Sequence, residues 1–394
     1  MRGDDVKVLT VLGTRPEGVK MAPVLRELAK YADAGVQSQL CVTGQHRQML
    51  DQVLRVFDLQ PDYDLDVMSA DQTPATAAAA ILSRLDPILR QQRPDWVLVQ
   101  GDTTTVAAAA LAAFYAGCKV GHVEAGLRTF DRHQPFPEEI NRKVATAIAD
   151  THFAPTAQAR TNLLREGVPE GSILVTGNTG IDALHGAAAL PEPSGVTDLL
   201  CSLGLGAGAA PSCSPTNSTP AAPRLLLVTA HRRENLGPPL AEICWALRDL
   251  RERFGDSIRI VYPVHLNPNV QEPVQRILGD IPGIALIPPL DYLPLVHLLR
   301  HAYLVVTDSG GIQEEAPSLG KPVLVLRAVT ERPEAVAVGT VRLVGAVRSR
   351  IVEEATRLLD DATAYTAMAR AVSPYGDGHA GERIVASLID QKQR

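Results

Sequence analysis

Two doubly wound α/β domains facing a central cleft are the fold this sequence predicts, from three observations. The chain has 394 residues, 45% apolar and 21% charged, too long for one ordinary core and rich enough to bury two. Continuous apolar runs of strand length alternate with segments patterned for helices, which means parallel sheets covered on both faces. The alternation breaks once, in a Pro-, Gly-, Ala- and Ser-rich stretch from 191 to 223, and then restarts.

The first domain is read over 1–180. Its strands are VKVLTVLG (6–13), QSQLCVTG (37–44), DWVLVQG (95–101), KVGHVEA (119–125), THFAP (151–155) and ILVTGN (173–178). EGVKMAPVLRELAKY and TAAAAILSRLDPILRQ carry helical patterning between them. VAAAALAAFYAGC (106–118) is the most apolar long stretch; too short to span a bilayer, it reads as a buried helix. The composition of 191–223 suits a low-complexity insertion or flexible linker. The second domain, 224–374, brings RLLLVTAH (224–231), IRIVYPVH (258–265), IALIPP (284–289), AYLVVTDSG (302–310) and PVLVLRA (322–328).

A net charge of −6 argues against a nucleic-acid partner, which requires a basic surface. Five scattered cysteines (Cys41, Cys118, Cys201, Cys213, Cys244) form no C-x-x-C pair, the pattern of a reduced, cytoplasmic chain. The opening MRGDDVKVLTVLG has early acids and only a short apolar run, so no signal peptide and no membrane partner are expected.

In doubly wound sheets ligands sit beyond the carboxyl ends of the strands. Seven strand ends here carry acids, histidines or cations: GTRPEGVK, TGQHRQ, QGDTTT, HVEAGLR, TAHRRE, PVHLNP and DSGGIQEE. One such end is ordinarily a helix cap or a solvated loop; seven around one cleft point to a site. In DSGGIQEE, Ser309, Gly310 and Gly311 open a helix whose free N–H groups attract an anion. The plainer reading is a tight turn capped by Asp308 or Ser309. Glu315, just inside that helix, suits ribose hydroxyls. Arg15 stands at a strand end and Lys20 about one turn into the next helix, both within reach of a diphosphate. GTRPEGVK has the wrong spacing for G-x-G-x-x-G or a P-loop, and no G-x-G-x-x-G occurs anywhere useful, so the pieces favour a nucleotide diphosphate over NAD, and no cofactor is assigned. His297 and His301 in HLLRH lie one turn apart but lack a third ligand; no metal is assigned, and they are read as covering a core edge.

GTRPE, GQHR, QGDTTT, HVEAGLRT, PEEINR, TAHRRE, PVHLNP, DSGG-x-QEE and TERPE follow one another as in bacterial non-hydrolysing UDP-N-acetylglucosamine 2-epimerases, which the sequence resembles over about 1–180 and 224–390. The resemblance implies two Rossmann-like domains of glycosyltransferase-B type, a UDP-sugar substrate, no metal or nicotinamide, and a homodimer. It also implies that the terminal helix in 375–394 packs back on the first domain. The implied reaction is reversible C2 epimerisation of UDP-N-acetylglucosamine to UDP-N-acetylmannosamine, feeding cell-envelope polysaccharide. The C2 hydrogen is scarcely acidic without an adjacent carbonyl, so UDP must leave first, giving a 2-acetamidoglucal to which UDP and a proton re-add.

By resemblance, Asp102, Glu124 and Glu138 are the acid–base carboxylates, with His231 near the diphosphate. Arg15, Lys20 and the Ser309–Gly311 turn hold the leaving group, while Arg142, Glu315 and Arg332 bind sugar and nucleotide. Which carboxylate removes the proton is open. Asp131 and Glu139 are read as loop salt bridges and Arg128 as a partner for one of the acids. A second, allosteric substrate molecule is implied near Gln45, His46, Gln48, Gln72, Arg232 and His265. Three departures stand out: Phe136 for Trp before P-E-E, Leu295 for an aromatic near the uracil, and Asp71 where regulated relatives carry Arg. The alternatives are an epimerase of a UDP-2,3-diacetamido uronic acid, a glycosyltransferase-B UDP-sugar transferase, and a non-catalytic nucleotide-sugar sensor. A sensor has no use for Asp102, Glu124, Glu138 and His231 together.

Overall fold

The computed structural model describes residues 6–44, 47–69, 72–205, 222–330 and 332–393, with backbone alone at 47–49 and 392–393. The chain divides into two compact units, Met1–Gly186 with Tyr375–Arg394, and Ala187–Pro374.

Unit 1 opens with β1 (Val6–Leu12), α1 (Arg15–Lys30), β2 (Val36–Val42), α2 (Arg47–Val56) and a two-residue β3 (Tyr63–Asp64). Next come α3 (Pro74–Gln92), β4 (Trp96–Gln100), α4 (Thr104–Tyr115), β5 (Lys119–Val123) and α5 (Glu138–Ile148). It continues through β6 (Thr151–Ala154), α6 (Ala157–Arg165), β7 (Ile173–Val175) and α7 (Thr179–Ala188). All its strands pair in parallel, in the order β3-β2-β1-β4-β5-β6-β7. The strand sequences explain this: β4, WVLVQ, is buried along its whole length, as a strand covered on both faces must be. The strand order reverses at β1 and β4, and this is where a doubly wound sheet opens to a ligand. Gly13, just past β1, has no space for a side chain there; a Cβ would lie 2.2 Å from the Thr105 hydroxyl and 2.8 Å from that of Thr43.

In unit 2, α8 (Ser194–Ser202) precedes β8 (Arg224–Thr229), α9 (Pro238–Phe254), β9 (Ile258–Pro263), α10 (Pro268–Leu278) and β10 (Ile284–Ile287). Then come α11 (Tyr292–His301), β11 (Ala302–Thr307), α12 (Gly310–Ser318), β12 (Val323–Val325) and α13 (Pro333–Ala337). The unit closes with β13 (Val341–Leu343), α14 (Arg348–Asp360) and α15 (Ala362–Ala369). The sheet is again wholly parallel, β10-β9-β8-β11-β12-β13, with its reversal at β8 and β11. The stretch expected to be a linker from 191 is helical at its start, as α8, and belongs to unit 2. Val196 and Leu200, one turn apart, bury one face of α8, and Arg259 Nε donates to the Leu203 carbonyl just beyond it at 3.0 Å. Residues 206–221 of that stretch lie outside the described residues.

The chain then returns to unit 1 as α16 (Ala380–Gln393), whose Ile384, Val385 and Leu388 share a core with Val24, Leu25 and Leu28 of α1. The return is close: a side chain on Gly376 would meet the Gly177 Cα at 3.2 Å.

Candidate active site

In unit 1 the acids converge on the exits of β4 and β5. Asp102 occupies the turn between β4 and α4, and Arg142 of α5 grips its Oδ2 through Nε at 3.0 Å and Nη2 at 2.5 Å. Asn141 donates to the Asp102 carbonyl at 2.9 Å. Burial opposes the Arg142 charge, but Asp102 and Glu139 outweigh it and raise the guanidinium pKa. Glu139, expected in a loop salt bridge, does pair with Arg142 at 3.0 Å, yet it is fully buried. It also accepts the backbone N–H groups of Thr129 and Phe130, so it pins the loop that leads into α5.

Glu124 ends β5 in left-handed backbone, φ 64°. Such backbone in a residue with a Cβ costs about 1–3 kcal/mol and persists where its surroundings fix it. Here Lys20 Nζ and Gln100 Nε2 each donate to one carboxylate oxygen, and the carboxylate is only 7% exposed. Lys20, assigned to the diphosphate from sequence, stands beside Glu124 and pairs with its carboxylate. Glu138 is the first residue of α5, and its buried Oε2 meets no hydrogen-bond partner among the described residues. Arg15 begins α1, half-buried. Arg128 does not join these acids; it pairs with Glu166 at 2.7 and 2.9 Å and with Thr146 at 2.8 Å. Asp131 accepts the His133 N–H at 2.9 Å.

Two further unit 1 residues were not singled out from sequence. Glu17 is 2% exposed, and its carboxylate accepts the N–H groups of Gly13 and Thr14 at 2.5 and 2.7 Å and the Thr103 hydroxyl at 2.5 Å. Burial pushes its pKa up to about 7, the three donors pull it down, and Asp102 adds to the rise. His122 is buried and pushed down to about 4 by desolvation, so near pH 7 it is neutral. Its Nε2–H donates to the Gly101 carbonyl at 2.7 Å, in the strand exit that carries Asp102. The T-x-x-E spacing of Thr14 and Glu17 was the available signal for the first; a lone apolar-flanked histidine gave none for the second.

In unit 2 the organiser is Asp308, fully buried at the exit of β11. Its Oδ2 accepts the N–H groups of His231 and Arg232, each at 2.8 Å, and Asn235 Nδ2 at 2.9 Å. Asp308 thus shapes the loop after β8; Ser309 is the N-cap residue of α12. His231 stacks on His265 with ring centroids 5.7 Å apart, and burial lowers its pKa against the pull of Asp308. Arg332 donates to Glu314 at 2.5 Å and lies over Gly310, where an added Cβ would come within 2.7 Å of its Nη1. A guanidinium thus sits at the N-terminus of α12, while a Cβ on Gly311 would meet nothing within 4 Å among the described residues. Glu315 lies near enough to Tyr292 to add to burial in raising that phenol's pKa.

Of the expected regulatory residues, Gln45, His46 and Asp71 fall outside the described residues, as does the side chain of Gln48. Gln72 belongs to unit 1 and donates to the Val67 carbonyl at 2.7 Å, whereas Arg232 and His265 are in unit 2. His301 and His297 both approach Glu192, at 2.5 and 3.6 Å. Among the described residues no cluster of three or more His, Cys, Asp or Glu side chains is arranged to hold a metal, and no helix is long and apolar enough to cross a membrane. Cys41, Cys118, Cys201 and Cys244 are free thiols.

Residues 28–389 match the family model described as UDP-N-acetylglucosamine 2-epimerase. The chain is 54% identical to the UDP-N-acetylglucosamine 2-epimerase of Yersinia pestis over 97% of its own length and 98% of that protein's. It is likewise 54% identical to the enzyme of that name from Escherichia coli K12, covering 98% and 99%. The crystal structure of UDP-GlcNAc 2-epimerase from Neisseria meningitidis bound to UDP-GlcNAc superposes with a TM-score of 0.82 at 45% identity, covering 98% of this chain and all of that one.

Proposed function

The chain belongs to the UDP-N-acetylglucosamine 2-epimerase family, and from that premise we propose that it interconverts UDP-N-acetylglucosamine and UDP-N-acetylmannosamine with no added cofactor. The C1–O bond breaks with its electron pair passing to the β-phosphate oxygen, and the C2 hydrogen leaves as a proton to a carboxylate. A C1=C2 double bond forms, giving 2-acetamidoglucal and UDP. UDP then re-adds at C1 while a proton arrives at C2 from the opposite face.

One observation carries this reading: two carboxylates at the exits of the neighbouring strands β4 and β5 are each gripped by a basic side chain, Asp102 by Arg142 and Glu124 by Lys20. An acid and a base held in fixed orientations are what a proton removed from one face and returned to the other requires. The α12 N-terminus, Arg332 and His231 supply N–H groups and positive charge suited to a departing diphosphate. Arg15 is assigned to the same task. The cooperativity expected of a second bound substrate should be shallow, since Asp71 sets a carboxylate where an arginine would attract a diphosphate. A cytoplasmic homodimer is the assembly this reading favours. Adjoining Phe114 and Tyr115, 61% and 66% exposed at the end of α4, offer an apolar contact, and sedimentation as a monomer would exclude it.

The test is incubation with UDP-N-acetylglucosamine alone in D2O, followed by NMR. Appearance of the manno product with deuterium at C2 supports the scheme. Retention of the original hydrogen over many turnovers overturns it, and turnover only with an added sugar acceptor would mark a transferase.

A further inference from the structure

The scheme leaves one buried ionisable group at the unit 1 strand reversal without a task. Glu17 is the third residue of α1, and its partners belong to two different segments. Gly13 and Thr14 join β1 to Arg15, whereas Thr103 directly follows Asp102. The Asp102 turn is also held from the β5–α5 side, by His122 on the Gly101 carbonyl, Asn141 on the Asp102 carbonyl and Arg142 on the carboxylate. Glu17 ties it to the opposite side. There is no slack at this crossing, because Gly13 packs directly on the Thr43 and Thr105 hydroxyls. A capping box asks of its glutamate only the bond to the N-cap N–H, here that of Thr14. This one is desolvated, and Asp102 opposes its charge. The arrangement costs more than capping requires.

We propose that Glu17 is a positioning residue for the epimerisation, tying the Asp102 turn to the Arg15 end of α1 so that the proton-transfer group and the diphosphate-binding helix keep one geometry. This rests on the reading of Asp102 as an acid–base group and Arg15 as a diphosphate ligand. It predicts a split between kcat and KM. Thr103→Val removes the hydroxyl that links Glu17 to the Asp102 turn, and with it the long α4 cap on the Val106 N–H at 3.4 Å, but leaves the Gly13 and Thr14 bonds. Its kcat should fall about tenfold with KM changed less than about twofold, since misplacement of a catalytic group by a fraction of an ångström is costly. Thr103→Ser, which keeps the hydroxyl, should behave as wild type. Glu17→Ala frees both segments, so kcat should fall and KM rise together. Adding Thr103→Val to it should cost no more kcat than the loss of the α4 cap brings, because the Glu17–Thr103 bond is already broken.

Amide hydrogen exchange over residues 101–106 supplies a readout independent of turnover, and in Glu17→Ala it should quicken about tenfold. If Glu17→Ala does not fold, Thr103→Val, which breaks the same tie, takes its place in the exchange measurement. Wild-type kcat in Thr103→Val, or losses that multiply in the double variant, would overturn the inference. If the native enzyme fails to epimerise, the functional reading falls. The exchange then decides the tie alone: unchanged rates refute it, faster rates support it.

Discussion

The two units solve the same problem at their strand reversals with a buried carboxylate, but from opposite directions. In unit 1 the carboxylate stands on the helix after the first central strand, Glu17 on α1, and reaches across to the turn after β4. In unit 2 it stands at the end of the second central strand, Asp308 after β11, and reaches back to the loop after β8. Glu17 therefore supports a neighbouring acid, Asp102, whose charge it opposes. Asp308 supports a neighbouring histidine, His231, whose charge it favours. A doubly wound sheet leaves a gap between two strand exits, and what bridges that gap decides the chemistry that can be held beside it. Unit 1 braces a pair of acids there, and unit 2 braces a histidine.

The contrast predicts that changes at the unit 1 acids strike kcat and changes in unit 2 strike binding or folding. The sharpest break is Glu124→Gln, which should lower kcat by at least about 10²-fold, as should Asp102→Asn. Steady-state kinetics near wild type in either would end the acid–base reading of unit 1. Next comes Asp308→Ala, which removes the acceptor of two part-buried N–H groups and one of the two acceptors of the Asn235 amide, and should cost on the order of 1–2 kcal/mol in urea unfolding. A loss below about 0.5 kcal/mol would show the β8 loop to be shaped by other contacts.

Gly310→Ala is milder. The new methyl displaces the flexible end of Arg332 from the α12 N-terminus, so KM for the UDP-sugar should rise about three- to tenfold at unchanged kcat. A fall in kcat with KM fixed would place Arg332 in the chemical step instead.

The smallest effect separates the braces by pH. Glu17, raised from 4.5 to about 7, binds a proton in the folded chain that the unfolded chain has released. Its contribution to stability is complete below pH 4.5 and is lost as pH climbs through about 7. His122, lowered from 6.5 to about 4, has the opposite sign: its contribution is present above pH 6.5 and is lost as pH falls through about 4. Between pH 4.5 and 6.5 the two oppose one another. Glu17→Gln should leave stability rising more steeply with pH across that window, by a few degrees in Tm between about pH 5 and pH 6.5. Parallel Tm profiles would show that Glu17 does not titrate there.

Eleven strands were legible because parallel strands buried on both faces are written as unbroken apolar runs. The two that were not, β3 and β13, are edge strands of two and three residues, too short to leave a period. Helix α8 was hidden by its neighbours, since the Pro, Gly and Ser around it outweigh a single buried pair, Val196 and Leu200. Asp102, Glu124 and Arg142 stood out as charges directly after or near apolar strands. Lys20 was visible, but its partner was not, because the Glu124 contact joins residues 104 positions apart. Asp308 was visible as a cap and Glu17 was not singled out, and both were obscure as bridges. Each looks locally like a helix cap, and their reach to a second strand exit is a property of sheet order that adjacent residues do not encode.

The return of α16 to unit 1 has a consequence in time. Val24, Leu25 and Leu28 of α1 are sealed by Ile384, Val385 and Leu388, which are synthesised only after the whole of unit 2. At roughly 5–20 residues per second, unit 2 takes about ten to forty seconds to emerge. Throughout that interval a nascent chain carries a unit 2 able to close its own core and a unit 1 with an open apolar seam along α1. The unit synthesised first is the one completed last, and its unfinished face is where a ribosome-associated chaperone would find purchase.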